Sequence, residues 1–117
     1  MNKFAIASLG LVLSAGIATS AFAAEKSITG TLEDSFCYVT AGAHGQSHKQ
    51  CAMGCAKKGI PVALVEKGSD KMFILLPEKN DSSLPDSVIS RMEDEVTVTG
   101  DEYSKGGITY LMVKSIK

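Results

Sequence analysis

The alternation of apolar and polar positions changes period along the chain, and each change marks an element. From Ser27 to Cys37, Ile28, Leu32 and Phe36 sit at even spacings with Thr29, Thr31 and Glu33 opposite them, which predicts a first strand. Gly30 inside it marks a bend or bulge. Val62 to Glu66 and Lys71 to Leu76 read as two more strands joined by a turn at Lys67-Gly68-Ser69-Asp70, a hairpin that Pro77 ends. After a polar loop at 78–82, Leu84, Val88 and Met92 recur at helical spacing, with Ser83 as the cap and Pro85 tolerated in the first turn. Asp94 and Glu95 close that helix, and the run Glu93-Asp94-Glu95 reads as its solvated end. Glu95 to Tyr103 alternates again, Val96 and Val98 against Thr97 and Thr99. Ser104 to Gly107 turns the chain into a last strand, Ile108 to Ile116.

Between the first two strands the period becomes helical. Ser47 followed by Gln50 forms a capping box, Gly59 supplies a left-handed stop and Pro61 cannot continue the helix. At about 100° per residue, His48, Cys51 and Cys55 fall within roughly 60° of one another. With Ala52 and Ala56 flanking them, the stripe is expected to face the protein. Lys57 and Lys58 suit the negative end of the helix dipole.

The order strand, helix, strand, strand, helix, strand, strand predicts a mainly β protein. Its architecture is a five-stranded OB-like Greek-key barrel, with a short Cys/His helix inserted between strands 1 and 2 and a short helix between strands 3 and 4. Ile28-Thr29-Gly30-Thr31-Leu32 and Glu95-Val96-Thr97-Val98-Thr99-Gly100, together with the amino-terminal segment described next, resemble the small bacterial OB-fold proteins of the periplasm. That resemblance implies a binding or stress-related module without established catalysis. The segment from Cys37 to Gly59 departs from it. Fold likeness does not assign function, so function is argued from the residues of that segment.

Residues 1–23 have the form of a secretory signal: Lys3 near the start, an apolar stretch from Phe4 to Thr19, and the small-x-small sequence Ala21-Phe22-Ala23. Ser8, Gly10, Ser14 and Gly16 interrupt the stretch, which argues against a permanent membrane anchor. The expected mature unit is one OB-like domain over residues 24–117 with its insertion at 38–61, exported and soluble, in a bacterial periplasm or, as the alternative, released to the medium. A domain of this size gains from a staple such as a metal or a disulfide. The formal net charge is −1, from 12 Lys and Arg against 13 Asp and Glu, and Arg91 is the single arginine. Nucleic acid is therefore not an expected partner, since binding it requires a basic excess.

The chemistry-bearing residues are Cys37, His48, Cys51 and Cys55. Three thiolates and an imidazole are a donor set for zinc, and two or three of the sulfurs suit monovalent copper. This predicts an exported soft-metal binding protein, its partner a zinc or copper ion and, for transfer, another periplasmic protein. His44 is an additional candidate, but Gly45 separates it from the helix and an exposed loop histidine is the simpler reading. Met53 lies about 140° from His48 and is expected at the surface or filling a gap, not as a sulfur ligand.

The competing reading is a disulfide between Cys37 and either Cys51 or Cys55, stabilising a ligand-binding or interaction module. A Cys51–Cys55 bridge is poorly directed on a helix. A third reading makes the cysteines small buried hydrophobes. Catalysis has less support: the chain carries no Gly-x-Ser-x-Gly elbow, haem attachment site or phosphate-cradling loop.

Overall fold

A computed structural model describes Gly10 and residues 24–117; the expected signal at 1–23 otherwise lies outside the described residues. Five strands, β1 (Ala24–Asp34), β2 (Val62–Glu66), β3 (Met72–Leu76), β4 (Glu95–Lys105) and β5 (Ile108–Ile116), close into a barrel in the order β1-β2-β3-β5-β4. β1 pairs antiparallel with β2 along one half and with β4 along the other, and a short parallel pairing of β3 with β5 closes the cylinder. This is the OB-like Greek key that the order of elements predicts.

The alternation works as expected inside the barrel. Ile28 and Leu32 of β1, Leu64 of β2, Phe73 and Leu75 of β3, Val96 and Val98 of β4 and Leu111 of β5 point inward and are buried. Each such aliphatic or aromatic side chain removed from water contributes about 1.5–3 kcal/mol before entropy is counted. Gly30 is required by close approach: there β1 is flanked by both β2 and β4, and a Cβ would run into the backbone of Val65. Gly106 and Gly107, both at positive φ, form the two-residue turn between β4 and β5.

Three short helices complete the fold: α1 (Ser35–Ala41), α2 (Lys49–Lys57) and α3 (Asp86–Ile89). α2 is laid on the barrel by Ala52, fully buried, with Met53 and Ala56 packed beside it. Val88, Ile89 and Met92, in and just after α3, cover more of the core. Among the described residues no helix is long and apolar enough to cross a membrane.

Four local expectations are corrected. β1 stops at Asp34 instead of running to Cys37, because Asp34 is a good helix cap and accepts the backbone N–H of Cys37 at 2.8 Å. Cys37 therefore lies in the first turn of α1, and Phe36, which fitted the strand alternation, is 62% exposed. The Ser47/Gln50 capping box does not form: a 3-10 turn at Gln46–His48 leads into α2, whose cap position is His48 without a side-chain capping bond. α3 starts at Asp86 after Pro85 and not at Ser83, since Pro85 holds an extended φ/ψ.

Finally, Glu93-Asp94-Glu95 is no solvated helix end. Glu93 is buried at positive φ, and Leu32 and the 93–94 backbone exchange hydrogen bonds in both directions.

Candidate metal centre

The site forms where the end of β1 meets both helices of the insertion. Asp34 is the last strand residue, so its carboxylate is fixed at the lip of the barrel, fully buried. One oxygen caps α1 by accepting the N–H of Cys37, and the other accepts from His48 Nε2 at 2.7 Å. The cap places Cys37 one turn above the carboxylate. The 3-10 turn brings His48 in from the other side.

Asp34, Cys37 and His48 each present a ligand atom, and these three atoms all lie within 4.8 Å of one another. Asp34 is the member that sequence reasoning missed. Its signal was present as Asp34-Ser35, a helix-capping pair separated from Cys37 by Phe36 alone.

Cys51 and Cys55 lie on α2 and are not part of that converging group; Cys55 is half-buried, Cys51 is exposed, and all three cysteines are free. The expectation that the His48/Cys51/Cys55 stripe faces the protein is corrected by the neighbouring positions. Ala52 and Met53 take the core side of α2, which turns Cys51 to solvent. His44 is exposed, its Nδ1 bonded to the carbonyl of Gly42 at 2.8 Å, as a loop histidine would be.

The electrostatics of the cluster are consistently negative. Burial opposes the charge of Asp34. Hydrogen bonds from the Cys37 backbone, from His48 and from the Cys37 thiol outweigh it and hold the carboxyl below its ordinary range. The Cys37 thiol is pushed up to about 11, first by loss of solvent and then by the charge and hydrogen bond of Asp34, with smaller effects from Cys55 and Cys51. Cys55 is raised by burial, by Asp34 and by Cys51, with Lys58 opposing.

A thiol used as a nucleophile needs an electropositive setting that favours thiolate, and this setting does the reverse. An added cation would favour deprotonation here.

On the far side of β1, Glu33 and Glu93 bury their carboxyls together. Among the described residues, Glu33 Oε2 and Glu93 Oε1 find no hydrogen-bond donor. Burial, the hydrogen bond and charge of Glu93, and the charge of Asp34 push Glu33 up to about 8. Glu93 meanwhile accepts the N–H of Gly45 at 2.8 Å, and its carbonyl accepts Gln46 Nε2 at 2.8 Å. Asp94 binds Lys49 at 2.9 Å. These contacts tether the loop that delivers His48.

Comparison of the chain with protein-family models, with curated proteins and with solved structures returned no match.

Proposed function

We propose that the protein binds a thiophilic metal ion, zinc or monovalent copper, at the junction of β1, α1 and α2. The observation that carries this reading is the convergence of Asp34, Cys37 and His48 from three separate elements within 4.8 Å, with two further thiols on the adjoining helix. The proposed ligands are Cys37, His48, Cys51 and Cys55, the last two from outside the converging group, and Asp34 is the buried carboxylate that holds Cys37 and His48 in place. The 2.7 Å contact between His48 Nε2 and the Asp34 carboxylate fixes the orientation of the imidazole at the site.

A cation would also answer the excess of negative and sulfur donors, drawing protons off Cys37 and Cys55. The mixed nitrogen and sulfur set suits zinc; the adjacent Cys51 and Cys55 favour monovalent copper if fewer donors engage. Because Cys51 is exposed, one ligand can reach an incoming partner, which suits capture and transfer in the periplasm.

Titration of the reduced protein with zinc or with monovalent copper, against a chromophoric chelator, tests the reading. One equivalent should bind. Cys37→Ser should weaken binding at least about 100-fold, in line with the loss of one soft donor, while His44→Ala should leave it unchanged. Equal affinities for wild type and Cys37→Ser would remove the site.

A further inference from the structure

Away from the cysteines, a second surface is built as a ligand site. A groove of about 580 Å³ runs between the carboxyl end of α2, β3, the start of β5 and the connection at 82–84. Its volume lies in the range of small-molecule sites, roughly 300–1,000 Å³. The groove follows from the topology: β3 and β5 pair over only three positions, Ile74 to Leu76 with Tyr110 to Met112, so their outer faces splay beside the end of α2.

The walls are apolar, with Ile60, Ile74, Leu76 and Leu84 only half-buried and Ile108 47% exposed. Aliphatic side chains gathered in a concave surface and left partly wet mark a binding site more specifically than scattered exposed ones do.

The charge pattern selects the occupant. Lys57 is the only charged residue lining the groove, and it makes no ion pair among the described residues. Three of the last four carbonyls of α2 are already engaged. Gly54, Cys55 and Ala56 already accept from the N–H groups of Lys58, Gly59 and Ile60. The groove is therefore apolar along its walls, with Lys57 the one charged residue among those that line it.

We propose that this groove binds a single-chain amphiphilic carboxylate, a fatty acid, with the alkyl chain along Ile60, Ile74, Leu76, Leu84 and Ile108 and the carboxylate at Lys57. The site is independent of the metal reading. It touches the same helix, because Ile60 at its edge donates to the carbonyl of Cys55 at 3.1 Å.

The test is calorimetric titration of the purified, metal-free protein with octanoate, decanoate and dodecanoate below their micellar concentrations. Dodecanol and dodecylammonium serve as head-group controls. Saturable one-to-one binding of dodecanoate is expected, tightening about 3- to 4-fold per added methylene. Lys57→Glu should weaken dodecanoate roughly 5-fold and leave dodecanol unchanged, as for a partly exposed ion pair. Ile108→Asp should remove all binding.

Both substitutions are at exposed positions, and an unchanged circular dichroism spectrum would show the fold intact; should Ile108→Asp not fold, the Lys57→Glu comparison decides alone. Absence of saturable binding, or dodecylammonium binding as tightly as dodecanoate, would overturn the proposal. So would a concentration-dependent dimer abolished by Ile108→Asp, which would assign the groove to a second copy of the chain.

Discussion

Glu33 and Asp34 are consecutive carboxylic acids at the end of one strand, both buried, and they meet opposite fates. Strand alternation sends Asp34 toward the helices of the insertion, where a backbone N–H and an imidazole meet it and keep it ionised. It sends Glu33 toward Glu93, where the nearest group is another carboxyl and the proton is retained. Burial alone therefore does not decide whether a carboxylate is an anchor or a liability; the donors that reach it do. The Asp34 side is organised to hold charge. The Glu33 side tolerates it poorly.

The largest effect that would break this contrast is expected from Asp34→Ala. It removes the cap of α1 and the partner of His48 together, and should cost about 2–4 kcal/mol in urea denaturation. Asp34→Asn retains some capping and should destabilise less, yet still lower metal affinity about 10- to 100-fold through loss of the histidine-orienting carboxylate. If Asp34→Asn binds metal like wild type, Asp34 does not orient the site.

Next in size is the pH dependence of metal affinity. Cys37 and Cys55 hold their protons above the ordinary thiol range, so binding must release them. Affinity should rise with pH between 6 and 8, by about tenfold per unit for each proton released. Competition titrations at several pH values would measure the slope, and a flat profile would mean that thiols are not ligands.

Glu33→Gln sharpens the other half of the comparison. Glu33 has a folded-state value raised from 4.5 to about 8, so the protonated folded form is favoured. The stabilising contribution is complete below the unfolded value and is lost as pH rises from about 4.5 through about 8. Glu33→Gln should remove that loss. Its gain over wild type should grow with pH across the same window, read as a rising midpoint difference in urea. The smallest effect is expected at His44: His44→Ala removes one exposed loop contact and should change stability by less than about 0.5 kcal/mol.

The barrel was legible because its signals are local and repeated. Val62–Glu66 and Ile108–Ile116 occupy the spans that alternation predicts, and the glycine turn at 106–107 joins β4 and β5 where composition places it. The site was legible only in its side-chain inventory. Phe36 fits the β alternation, so the strand reading ran through Asp34-Ser35 and placed Cys37 at a strand end. The capping carboxylate won locally and started α1.

The remaining departures are tertiary. Gln46, not Gln50, holds the entry to α2, because it reaches the backbone of Glu93 and the side chain of Asp94, 47 and 48 positions away. His48 finds Asp34 across 14 positions. The carboxylates at 93 and 94 looked solvated because nothing nearby in sequence reveals the loop that folds over them.

The central claim is that the three thiols and His48 hold a metal ion. Its most direct test is intact mass of the purified protein under native and denaturing conditions, with and without a thiol-blocking reagent. The account predicts a native mass excess of one zinc or copper ion, lost on denaturation, with Cys37, Cys51 and Cys55 all blockable once the metal is released. A metal-free mass about two units low with only one blockable cysteine would contradict it, because that signature belongs to a disulfide.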